Sequence, residues 1–163
     1  MSLKRVIGAA RDIDLRFQRW RALDRRRLLV NARTAMNYAT LAPIVERMQR
    51  DERLDFFFTS SEEPASAASV FLDARQPFKL VTPAYASLMQ FDIYLAADFL
   101  WMKLPRGAWR VQTFHGVAGK YRTVYDSPRE SMRAWDRLFF INERRLRHFV
   151  DSARLMKVVL PHV

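Results

Sequence analysis

Leu28-Leu29-Val30-Asn31-Ala32 is a short, almost wholly apolar run, and the segment after it changes period, with Leu41, Ile44, Val45 and Met48 recurring at steps of three and four. A strand covered on both faces in a parallel sheet reads as such a run, whereas a half-solvated antiparallel strand alternates. The following stripe is helical. Asn37 is expected to cap that helix, and the polar stretch Gln49-Arg50-Asp51-Glu52 to end it.

The same alternation repeats downstream. Residues 54–58 are a second apolar run, Ser60 with Glu63 has the spacing of a capping box, and a helix is expected over 65–74. Residues 78–81 form a third strand, and Thr82-Pro83 opens a helix with an N-cap hydroxyl and proline at the first helical position. Strands follow at 92–97, 110–113 and 137–141; Asn142 caps a helix reaching about Ser152, and 157–160 begins a seventh strand. Strands alternating with amphipathic helices predict an α/β fold, a Rossmann-like parallel sheet with helices on both faces. With no closing helix after that last strand, the chain reads as the first domain of something longer.

Composition bounds the rest. With 163 residues, half of them apolar, one buried core is expected, and wholesale disorder is excluded. The longest charge-free stretches, Thr34 to Val45 and Leu80 to Phe91, are twelve residues each. A spanning helix needs about 18 or more. There is no cysteine, hence no disulfide or thiolate, and three scattered histidines give no reason to expect a metal site. The basic start is broken by Arg11 and Asp12 and is no signal peptide, so a cytoplasmic location is expected.

The net charge of +11 is concentrated at the start, where residues 1–27 carry nine basic side chains against three acidic ones. Within them Leu3, Val6, Ala10, Ile13, Phe17 and Trp20 share one helical face. Residues 1–27 are therefore expected to form a basic amphipathic helical arm, and 28–163 the domain. Such an arm can pack on its own domain, lie in a membrane interface through Phe17, Trp20, Arg16 and Arg19, or contact nucleic acid. No recognised nucleic-acid motif supports the last reading.

In open parallel sheets ligands bind beyond the carboxyl ends of the strands. Residues expected there are Arg33, Thr34 and Asn37, then Thr59, Ser60 and Ser61, Thr82, Asp98, and Thr113 to Gly116. Each hydroxyl or amide among them is either a helix cap or a substrate contact. Gln112-Thr113-Phe114-His115-Gly116-Val117-Ala118-Gly119-Lys120 is the most specific segment, bracketed by two of the chain's four glycines. His115 stands at a strand's end, where an imidazole of pKa about 6.5 can take a proton from an alcohol. Lys120 can neutralise a phosphate. The other reading of His115 is a structural histidine in a tight turn.

That segment resembles the Q-T-W-H-G-T-x-x-K stretch of CDP-glycerol glycerophosphotransferases, the teichoic-acid polymerase and primase enzymes of bacterial cell envelopes, with Phe114 for the tryptophan and Val117 for the hydroxyl residue. The stretch from Leu28 to Met48, with Asn31-Ala32-Arg33 and Leu41-Ala42-Pro43-Ile44-Val45, is similar to the first βα unit of GT-B transferases and UDP-sugar 2-epimerases. The resemblance implies the N-terminal, acceptor-side half of a GT-B fold, with the donor nucleotide held by a second domain that this chain lacks. It implies His115 as general base on the acceptor hydroxyl; Arg33, Thr34, Asn37, Ser60 and Gly116, by their places after the strands, and Lys120, by its charge, are the expected substrate contacts. It further implies a phosphorylated or lipid-linked acceptor, a nucleotide-activated donor and a peripheral position at the inner face of the cell membrane, facing anionic lipid; the residues present call for no metal, and no cofactor is expected. Alone, such a half would be inactive. The competing expectation is a non-catalytic α/β module that binds a partner, a membrane surface or nucleic acid through the arm.

Overall fold

Apolar runs bounded by helix signals produce parallel strands because each strand must bury both faces and needs a crossover to return. The computed structural model describes residues 3–20, 25–60, 64–75, 77–97, 107–113, 135–140 and 142–155. The elements are α1 (Leu3–Trp20), β1 (Arg26–Asn31), α2 (Ala35–Met48), β2 (Leu54–Thr59), α3 (Pro64–Val70), β3 (Lys79–Leu80), α4 (Pro83–Leu88), β4 (Ile93–Ala96), β5 (Trp109–Thr113), β6 (Arg137–Phe139) and α5 (Glu143–Leu155). The expected 157–160 strand, and Glu63 of the expected capping box, lie outside the described residues.

The strands form one six-stranded sheet in the order β3-β2-β1-β4-β5-β6. Every neighbouring pair is parallel. The fold is α/β and Rossmann-like. The chain works outward from β1 to β3, then crosses back to β4 on the other side of β1, so the strand order reverses between β1 and β4. The crevice outside the carboxyl ends at that reversal is where such sheets bind ligands.

Side-chain alternation divides the core. Leu28, Val30, Phe56, Phe58 and Leu95 face α2 and α3, meeting Tyr38, Leu41, Val45, Val70 and Phe71. Phe58 anchors this layer, stacked on Phe78 with ring centroids 4.4 Å apart and edge-on to Phe71 at 5.0 Å. Leu29, Phe57, Tyr94 and Leu138 face the opposite way, against Ala86 of α4 and Phe149 of α5. Within α2 the buried stripe is Asn37, Tyr38, Leu41 and Val45. Ile44, expected on that stripe, is 39% exposed instead. One turn of helix cannot put Leu41, Ile44 and Val45 equally inward, and the sheet takes the face centred on Leu41.

Helix starts were partly legible. Thr82 accepts the Tyr85 N–H at 3.2 Å with Pro83 following, as expected. Asn142 caps α5, its Oδ1 accepting the Arg145 N–H at 2.9 Å. Asn37 is not the cap of α2. Thr34 is, and Asn37 is the third helical residue. The Asn37 N–H donates to Thr34 Oγ1 at 3.2 Å, while Asn37 Oδ1 accepts the Thr34 N–H at 3.1 Å, a capping box closed by an amide in place of the usual carboxylate.

The arm boundary also moves. β1 begins at Arg26, so Arg26 and Arg27, counted with the basic arm, are strand residues. Helix α1 lies against α4. It is fastened by Asp14, which takes two hydrogen bonds from Arg27 Nη1 at 2.9 and 2.7 Å and one from the Gln90 N–H at 2.9 Å. The Arg11 guanidinium donates to the Ser87 carbonyl at 3.0 Å.

Candidate functional site at the carboxyl edge

The last rung of the sheet before its carboxyl edge runs Thr59–Asn31–Ala96–Gln112, with Leu138 beyond it, as the strand registers dictate. Paired residues in parallel strands point to the same side, here the side of the sheet covered by α4 and α5. Three of these five side chains are polar, yet Thr59, Asn31 and Gln112 are at most 4% exposed. The small Ala96 separates the two amides.

Asn31 donates its Nδ2 hydrogen to the Tyr94 hydroxyl at 2.7 Å. Asn31 Oδ1, Thr59 Oγ1 and Gln112 Oε1 have no hydrogen-bond partner among the described residues, and neither does Thr113 Oγ1 on the opposite side of β5. A buried polar atom left unpaired costs about 1–3 kcal/mol. Four of them at one edge are a concentrated expense in stability, and native cores tolerate few such groups unless something completes them. Two of the four are amide carbonyls that only accept, and two are hydroxyls that accept and donate. Their complement is a neutral group rich in O–H or N–H donors. An anion, which only accepts, would leave both carbonyls unsatisfied.

Beside this rung, a cavity of about 140 Å³ is lined by Ser60, Ala67, Leu80, Val81, Thr82 and Pro83. It lies at the ends of β2 and β3, next to the buried Ser60. Of the residues expected to touch substrate, Arg33, Thr34, Asn37 and Ser60 all reach this edge. Arg33 and Thr34 are exposed directly after β1. Thr34 and Asn37 hold each other in the capping box, the Thr34 hydroxyl lying 3.0 Å from Asn37 Oδ1. Their first role is therefore to start α2. His115, Gly116 and Lys120 lie outside the described residues, as do Ser61 and Asp98. In chain terms, His115 follows the end of β5 by two residues.

Residues missed as site members are Asn31, Gln112 and Tyr94. Gln112 was read only as part of the His-Gly segment, and Tyr94 as a strand residue. A glutamine inside an otherwise apolar strand is a signal in itself, because burying its amide needs a reason. Tyr38, one turn into α2, has its hydroxyl pushed above the usual 10.0 by burial first and then by Glu46 and Asp73, so it stays neutral. Among the described residues no cluster of histidine, aspartate and glutamate could hold a metal ion.

Of the expected membrane contacts, Arg16 and Phe17 are exposed on α1. The side chains of Arg19 and Trp20, which end that helix, lie outside the described residues. No helix among the described residues is long and apolar enough to cross a membrane.

An open parallel sheet with a strand reversal is a Rossmann-like α/β domain, and here its carboxyl edge carries the unpartnered polar groups. No family model, curated protein or solved structure matches the chain.

Proposed function

We propose that this chain is the acceptor-side domain of a transferase that moves a glycosyl or glycerophosphoryl group from a nucleotide-activated donor to an alcohol. The observation that carries the proposal is the buried polar rung of Thr59, Asn31 and Gln112 with three unpartnered oxygens at the strand reversal. A polyol supplies the O–H donors that the two amide carbonyls lack. The His-Gly segment resembling the glycerophosphotransferases begins in the same strand, at Gln112, which ties the resemblance to the rung.

In this reading His115 accepts the proton of the acceptor hydroxyl as that oxygen attacks the phosphoryl or anomeric centre of the donor. The bond from that centre to the nucleotide phosphate breaks, and the phosphate leaves with the electron pair. Arg33 and Lys120 balance charge on the phosphates. In the GT-B arrangement that the resemblance implies, a second domain holds the donor nucleotide and this one contributes the acceptor side.

The test is turnover by the natural gene product that contains these residues, supplied with CDP-glycerol or UDP-sugars and a glycerol-phosphate acceptor. Release of CMP or UDP should fall about 10²–10⁴-fold in His115→Ala with donor affinity unchanged. Undiminished release in that variant overturns the assignment of the base. Absence of transfer to any polyol acceptor overturns the proposal.

A further inference from the structure

Helix α1 is fastened to the domain by one face and shows a different one to solvent. Its half-buried residues include Ile7, Ala10, Arg11 and Asp14, the side that meets α4 and carries the Asp14 and Arg11 hydrogen bonds. Val6, Ile13 and Phe17 are 41%, 68% and 46% exposed. At about 100° per residue these three fall within roughly 40° of one another and about 110° from the direction midway between Arg11 and Asp14, with Ala10 on the border between the two sides. An amphipathic helix on a globular domain normally turns its apolar stripe inward. This one is held at its edge by an ion pair, and the stripe points out.

We infer that α1 seats the protein on an anionic bilayer surface, with Val6, Ile13 and Phe17 at the boundary between headgroups and acyl chains, while Asp14 and Arg11 keep the helix fastened to the sheet. Charge selects this occupant. Arg5 and Arg16 are exposed on the flank of the stripe away from α4. They can reach lipid phosphates while their stems lie along apolar surface. A second copy of the chain is disfavoured, because α1 holds Lys4, Arg5, Arg11, Arg16 and Arg19 against Asp12 and Asp14 and would meet its own positive charge. Nucleic acid would engage the arginines and leave the three apolar side chains in water. Because the fastened and inserting sides differ, the helix need not leave the domain to bind. The proposal stands apart from the chemistry at the carboxyl edge.

The chain has no cysteine, so a single introduced thiol carries a unique label. Ile13→Cys and Asp12→Cys, both at exposed positions, would each be labelled with an environment-sensitive fluorophore and mixed with phosphatidylcholine vesicles with and without phosphatidylglycerol. The label at 13 should brighten and shift to the blue on anionic vesicles, while the label at 12, about 100° round the helix on the charged flank, should respond much less. Affinity should fall about tenfold or more without the anionic lipid. Phe17→Ser, checked for an unaltered melting curve, should weaken binding similarly. Equal responses at 12 and 13, binding without a blue shift at 13, no binding, or preferential binding of a single-stranded RNA probe each overturn the inference.

Discussion

At the amino edge of the sheet the charges stand in pairs, whereas at the carboxyl edge buried polar atoms stand without partners. Arg25 meets Asp55 at 3.1 Å, Arg26 meets Asp92 at 3.0 Å, and Arg27 meets Asp14 at 2.7 Å. Two aspartates preceding strands also accept the N–H of the neighbouring strand's early residues: Asp92 from Arg27 at 2.8 Å, and Asp136 from Arg110 at 2.7 Å. At the other end, Asn31 Oδ1, Thr59 Oγ1, Gln112 Oε1 and Thr113 Oγ1 have nothing to bond among the described residues. The amino edge pairs its charges, although Gln49 Oε1 and Trp135 Nε1, on residues that precede β2 and β6, also lack a partner among the described residues. The carboxyl edge keeps buried polarity where an apolar residue would be more stable, which supports the binding edge proposed above.

The contrast can be broken by substitution. Asp14→Ala should have the largest effect, because it strips three hydrogen bonds from the amino edge and takes the Asp14 carboxylate from the half-buried Arg27. A loss of about 2–3 kcal/mol is expected, discounted for partial exposure and read from urea unfolding at neutral pH. A loss below the scatter of such curves would show that the fastening is ornamental. Thr59→Val sharpens the contrast by acting with the opposite sign. It removes a fully buried hydroxyl without a partner while conserving shape, so stability should rise by about 1 kcal/mol. In the same variant, affinity for a polyol acceptor should fall. Destabilisation would show that the hydroxyl is already satisfied and would remove one member from the proposed site. Asp92→Asn should be smallest, a few tenths of a kcal/mol. The amide still accepts the Arg27 N–H, and the lost ion pair involves the exposed Arg26.

Glycine enters this frame at one place. Gly107 holds φ at 86° just before β5, a region unfavourable to side chains, and an added Cβ would lie 3.3 Å from the Gln90 amide. The turn brings Trp109 into register so that its N–H reaches the Asp92 carbonyl at 2.8 Å, adding to the closure of the amino edge.

Much of the fold was legible because parallel strands and crossover helices impose different periods on the chain. The run at 28–32 contains the last four residues of β1 and the run at 54–58 the first five of β2, and Thr82-Pro83 and Asn142 mark their helices where expected. Caps with two candidates were not decidable locally. Thr34 and Asn37 both suit a helix start, and only the extended backbone at Thr34 assigns it the cap and leaves Asn37 as its reciprocal partner. The boundary of the basic arm failed for a similar reason. A run of arginines looks solvated in sequence, but Arg26 and Arg27 find carboxylates brought from 66 and 13 residues away.

The apolar periodicity of this chain was enough by itself to determine a parallel α/β sheet, since burial on two faces leaves an unbroken hydrophobic signature in each strand. Only the tertiary structure decided the order of the strands, hence which residues share the final rung, because register is set between segments far apart in sequence. It likewise decided which side of α1 faces out. The apolar stripe marked the face that packing was expected to use. Asp14 meets Arg27 and Gln90, and with these long-range polar contacts the helix joins the domain by a different side from the one its apolar pattern suggests.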